Sequence, residues 1–100
     1  MAERMALHRE LKTIYNHVYF QPPGHEKITY PCIIYKRSAG NAKYADNKVY
    51  TFRQQYEVTA ITKDPDDPIV ETMMHKFPLI QHNRHFQADN LNHEVFLLYW

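Results

Sequence analysis

The run from Lys48 to Thr62, KVYTFRQQYEVTAIT, constrains this chain more than any other stretch. Tyr50, Phe52, Tyr56, Val58 and Ala60 fall on one parity, and Arg53, Gln55, Glu57 and Thr59 on the other. That alternation predicts a strand with one dry face and one wet face. Tyr, Phe, Val and Thr suit a half-buried pleated surface, and no Gly or Pro interrupts the run. A helix would scatter these aromatics around its circumference. Gln54 is the one polar residue on the apolar parity. At about 3.3 Å per residue the run is long for a strand in a small domain. It therefore predicts a curved central strand that meets different partners along its length.

The remaining elements are read outward from this strand. Leu7, Leu11, Ile14 and Val18 are spaced i, i+4, i+7 and i+11, with Arg4, His8, Glu10 and Lys12 elsewhere around the cylinder. The spacing predicts an amphipathic helix over Glu3–Tyr15, lying across one sheet face. Asn16 can end it, His17 to Phe20 makes a short strand, and Pro22, Pro23 and Gly24 force a turn. Tyr30 to Lys36 reads as the next strand, with Pro31 at its start or on an edge because it lacks a ladder donor. Arg37 to Asn47, RSAGNAKYADN, has no apolar period and reads as a long loop, either a functional loop or a solvated hairpin connection.

After the central strand, Asp67 is the expected N-cap, Pro68 the first helical residue and Glu71 the partner of the helix dipole. Val70, Met73, Met74 and Phe77 form one apolar stripe, with both methionines expected to fill core gaps, and Pro78 ends the helix. From Asn83 to Ala88 the chain alternates again, His85 and Gln87 opposing Arg84, Phe86 and Ala88. A turn over Asp89, Asn90, Leu91 and Asn92 follows, then a strand from His93 to Trp100 that is apolar on both parities from Val95 onward. One parity is expected beneath the helices and part of the other in a subunit contact. The order α-β-β-β-α-β-β predicts a single α+β domain, a mainly antiparallel sheet of about five strands flanked by two helices.

Composition narrows the function. An apolar fraction of 44% suits a folded domain, and eight Tyr, five Phe and one Trp suit either strand packing or protein interfaces. The 12 basic and 11 acidic residues are well mixed, so no electrostatic footprint for nucleic acid is present. No apolar run approaches the roughly 20 residues needed to span a membrane, and no signal-peptide core is apparent. Cys32 has no second cysteine to pair with, which favours folding in a reducing, intracellular place.

Chemistry finds little support. Of the seven His, His82, His85 and His93 lie near Asp89, but residues i and i+3 on a regular strand point to opposite faces. Cys32 lies in an apolar strand where a thiolate is costly. Asp64, Asp66 and Asp67 are explained by the start of a helix, and Gly24 and Gly40 build no phosphate loop. No catalytic, metal or cofactor residue is assigned, and enzyme is the weaker class.

Four stretches carry a resemblance: VYFQPP (Val18–Pro23), YPCIIY (Tyr30–Tyr35), KYADNKVYTFRQQYEVTAITKDPDDPI (Lys43–Ile69) and RHFQADNLNHEVFLLYW (Arg84–Trp100). Together they resemble small tailed-bacteriophage proteins described as tail completion or tail terminator proteins. ADNLNHEVF is the most specific piece. The resemblance implies a sheet flanked by helices and a hexameric ring. Such a ring caps the tail tube protein, stops its polymerisation and offers a surface to the head connector. It implies a place in the tail or neck of the virion after assembly in the host bacterial cytoplasm, with no cofactor and no membrane. Another neck component, for head closure or connection, and a small intracellular protein-binding adaptor are the alternatives. No contact residue comes with the resemblance. From residue types, Lys43, Tyr44, Asp46 and Asn47 are expected to touch a neighbouring subunit or ring, and Tyr99 and Trp100 to anchor a subunit contact.

DNA passes through the lumen of such a ring without specific binding, and tight phosphate contacts would impede it, so few unpaired Lys or Arg are expected there. The isolated protein should therefore leave duplex DNA unshifted in a gel. A complex that forms at about 50 mM salt and dissolves by about 200 mM would contradict this.

Overall fold

The computed structural model describes the backbone of residues 4–22, 24, 27–45 and 48–100, and the side chains of these outside 39–53. The elements are α1 (Arg4–Lys12), β1 (His17–Phe20), β2 (Cys32–Ala45), β3 (Lys48–Thr62), α2 (Ile69–Lys76), β4 (Ile80–Ala88) and β5 (Leu91–Tyr99). They form an α+β domain whose mixed, mostly antiparallel sheet has the order β1-β2-β3-β5-β4. Among the described strands only β1 and β2 run parallel, with His17 opposite Cys32 and Phe20 opposite Tyr35.

β3 is the central strand. Val58 faces Tyr35 of β2 on one side and Phe96 of β5 on the other, so the apolar parities of three strands coincide. Val18, Ile33, Tyr35, Tyr56, Val58, Ala60, Phe96 and Leu98 line this face beneath Leu7 and Leu11 of α1, Ile69 and Met73 of α2, and Phe77. Both helices therefore cover the same face, and a Glu10–Lys76 ion pair of 2.9 Å links them. Among the described residues no helix covers the opposite face. There the connection after β1 approaches Tyr19, whose hydroxyl accepts the Thr29 N–H at 3.3 Å. Arg84 reaches from β4 across β5 toward Glu57 of β3 at 4.0 Å, and Val95 opposite Arg84 is buried. Long polar side chains thus roof part of a face that lacks a helix.

Several expectations are corrected. Of the loop expected over Arg37–Asn47, Arg37–Ala45 is strand: β2 continues to Ala45, pairing with β3 as far as Lys48, while Asp46 and Asn47 lie outside the described residues. The long β3 offers these residues a complete backbone ladder, which overrides the weak strand propensity of Ser, Gly and Asn. Irregularities between Arg37 and Gly40 and between Lys43 and Tyr44 absorb the register mismatch.

Asp67 does not cap α2. Pro68 holds the N-cap position without a side-chain bond, and its carbonyl receives the Thr72 N–H at 2.9 Å. The acids build the preceding turn instead, Asp64 Oδ1 accepting the Asp66 N–H at 2.9 Å. Met74 is 40% exposed, so the core line of α2 runs through Ile69, Met73 and Phe77 with Val70 beside it. Finally, the β4–β5 turn contracts to two residues, Asp89 (φ 53°) and Asn90 (φ 61°). Positive φ at both matches the strand twist, and short Asp and Asn side chains tolerate it.

The two parities of β5 can be separated by mutation. Leu98→Ala, beneath the helices, should lower unfolding stability by about 2–5 kcal/mol in urea titration. Leu97→Ala on the helix-free face should cost about 1 kcal/mol or less. Equal losses would mean that both faces are equally packed.

Candidate interaction surfaces

Beyond the paired core, β2 and β3 run on as a two-stranded ribbon. β1 pairs with β2 only over Cys32–Tyr35, and β5 with β3 only over Gln55–Thr62. The stretch from Lys48 to Gln54 therefore projects roughly 20 Å past the end of β5, at about 3.3 Å per residue. The molecule is accordingly elongated, 50 × 28 × 23 Å. Lys43 and Tyr44 lie near the far end of this ribbon, opposite Thr51 and Val49.

Gln54 anchors the ribbon's root. It is 7% exposed on the core parity, and its Nε2 donates to the Ser38 and Gln55 carbonyls, both at 3.0 Å. Its Oε1 accepts from Arg37 Nη2 at 3.0 Å, and its backbone carbonyl receives the Trp100 N–H at 3.0 Å. Ser38 lies where the β2–β3 register shifts. The polar interruption of an apolar pattern thus satisfies a backbone carbonyl left over by a bulge, since buried polar groups need partners.

Tyr99 and Trp100 stand at the same end of the sheet but on opposite faces. Trp100 packs edge-on to Phe77 at 6.0 Å and adjoins the core, so its ring is engaged within its own subunit. Tyr99 lies on the helix-free face, where its hydroxyl accepts from Gln55 Nε2 at 2.9 Å. Beside it Pro78, Leu79, Ile80, Gln81, Leu97 and Tyr99 line a shallow depression of about 280 Å³. Leu79 is 43% exposed. Nothing in the sequence periodicity marks this depression, because it arises where the end of β5 meets the start of β4.

The outer strand β4 is exposed from Gln81 to Ala88. Its pairing with β5 shifts between His82 and Arg84, and this bulge places His82 and His85 on one face, against the expectation for a regular strand. Both reach Glu94, His82 Nε2 to Oε1 and His85 Nδ1 to Oε2, each at 3.0 Å. Glu94 was not singled out in the sequence. Its position opposite His85 is a matter of register. His93 turns to the other face and stacks on Phe86 at 4.5 Å. The four residues His82, His85, Asp89 and His93 therefore do not converge. No group of three or more His, Cys, Asp or Glu is arranged to hold a metal among the described residues.

Burial pushes the Cys32 thiol up to about 11, so it is held neutral. A second depression of about 390 Å³ opens between the end of α1 and the start of α2, lined by Ile14, Tyr15, Asp67, Thr72 and Lys76 among others. Burial first, and then Asp67, hold the Tyr15 hydroxyl above the ordinary tyrosine range. No helix among the described residues is long and apolar enough to cross a membrane. Comparison with protein-family models, curated proteins and solved structures yields no match.

Gln54→Leu should destabilise the protein by about 1–3 kcal/mol, because it removes the buried amide's bonds to Arg37 and to the Ser38 and Gln55 carbonyls. Amide exchange should rise in the ribbon before it rises in β5. An unchanged urea midpoint would show that water replaces the side chain at no cost.

Proposed function

We propose that this chain is a structural ring protein of a bacteriophage tail, one that caps the tail tube, ends its polymerisation and joins the tail to the head connector. The projecting β2–β3 ribbon is the observation that carries this reading. A two-stranded ribbon on its own is marginal in water, and along Lys48–Gln54 its β3 flank has no partner from β5. A neighbour that pairs with or covers it gains what the single chain leaves unmade. A contact between an arm on one copy and a different surface on the next is heterologous, and repetition of such a contact gives a ring where the rotation between copies closes. The sequence resemblance, which spans most of the chain after α1, points to the same role. In this reading the partners are further copies of the chain, the tail tube protein and the connector protein. No catalytic group or cofactor takes part.

Imaging tails made without this protein tests the role. Overlong tubes, or tubes of normal length that fail to join heads, are expected; intact infectious particles would overturn it. The arm is tested by replacing residues 39–53 with an Asn-Gly turn between Ser38 and Gln54. That protein should melt cooperatively yet fail to join tails to heads. Normal joining would show that the ribbon makes no necessary contact.

A further inference from the structure

The contact between α1 and the sheet contains one polar cluster in an otherwise apolar seam. Tyr35 is fully buried, its ring 4.9 Å from Phe20 and 5.9 Å from Tyr56. Its hydroxyl meets two α1 side chains, Arg4 Nη1 at 3.0 Å and His8 Nδ1 at 2.8 Å. Arg4 also lies over the Phe20 ring at 4.1 Å. Counting protons fixes the direction of the bonds. Arg can only donate, so the Tyr35 oxygen accepts from Arg4; the single hydroxyl proton is then free to go to His8 Nδ1. That chain is complete when His8 is neutral and carries its proton on Nε2. If Nδ1 is protonated instead, two donors point at the same oxygen and the Tyr35 proton loses its acceptor in a buried site.

The groups around His8 oppose its charge as well. On its own helix it faces Arg4 and Lys12; β2 offers only the Tyr35 phenol, with Tyr56 of β3 behind it, and β1 only the Phe20 ring. The basic group that α2 brings to α1, Lys76, is taken by Glu10. No carboxylate bonds to His8 among the described residues. Desolvation first, then Lys12 and Arg4, lower its pKa from the ordinary 6.5.

We propose that Arg4, Tyr35 and His8 form an acid-sensitive latch, which holds α1 on the sheet while His8 is neutral and releases it when His8 takes a proton. The sign follows from linkage. Arg4 and Lys12 travel with α1, so the part of the difference that docking makes is the loss of water around His8 and the Tyr35 proton held at Nδ1. Both weaken proton binding in the docked state, and acidification below the ordinary histidine value of 6.5 favours the free helix. Release would uncover the face made by Val18, Phe20, Ile33 and Tyr35.

Hydrogen exchange on the full-length protein tests the latch. Between pH 7.5 and pH 5, after correction for intrinsic rates, protection of the α1 amides should fall severalfold while that of β3 and β5 holds. His8→Gln stays neutral and can still accept from Tyr35, so its α1 protection should be flat over the same range. Tyr35→Phe should weaken α1 protection at pH 7.5 and reduce its pH dependence. An α1 protection that does not change with pH in the wild type would overturn the proposal. So would an equal fall in His8→Gln, or a His8 ring that titrates in NMR at or above 6.5.

Discussion

The pairing of β2 with β3 is the interaction on which the rest of the molecule depends. It runs from Cys32 opposite Ile61 to Ala45 opposite Lys48, and the strands that flank it, β1 and β5, both attach to one half of it. β1 joins the outer side of β2 over four residues, and β5 joins β3 over Gln55–Thr62. Within that half the apolar parities of β2, β3 and β5 coincide and α1 and α2 bury them. In the other half the ladder continues without flanking strands. One hairpin therefore serves as the spine of a core and as an arm outside it, and the division falls at Gln54.

That division requires a polar device where apolar packing ends. At Gln54 the chain needs both a bulge on β2 and a seal over the open end of the core. A buried amide meets both needs, since it donates to the Ser38 carbonyl and accepts from Arg37 while its stem remains on the core side. Tyr35 solves the corresponding problem under α1, its ring in the core and its hydroxyl at the seam with Arg4 and His8. In both places a buried residue with an apolar body and a polar tip spans the boundary, and its tip finds partners there.

A sheet with both helices on one face must manage the other by different means. Here Lys36, Glu57 and Arg84 form a row of charges across it, Lys36 to Glu57 at 3.2 Å and Arg84 to Glu57 at 4.0 Å. Exposed pairs of this kind contribute about 1 kcal/mol or less to stability. Their hydrocarbon stems nevertheless shield apolar groups such as Val95. Toward the ribbon end this shielding gives way to Leu79, Leu97 and Tyr99 around a shallow depression. That end therefore combines a projecting backbone and apolar side chains, the combination that the proposed ring contact needs.

The sequence by itself determined the period-two pattern of β3 and hence its bounds, Lys48 to Thr62, because side chains alternate strictly on a pleated strand. It likewise determined the order of elements and the helical face of Leu7 and Leu11, whereas β5 is apolar on both parities and only its register with β3 put Phe96 and Leu98 beneath the helices. Local composition misread Arg37–Ala45 as loop, since its Ser, Gly and Asn favour turns and only a long partner strand could recruit them. It also missed the His82–Glu94–His85 cluster, because a bulge at Asn83 reverses the parity that sequence counting assumes. Which helices share a face, which strand is left as the edge and where the hairpin leaves the core were decided only by tertiary structure. Each depends on pairing between residues distant in the chain, and no local preference encodes that pairing.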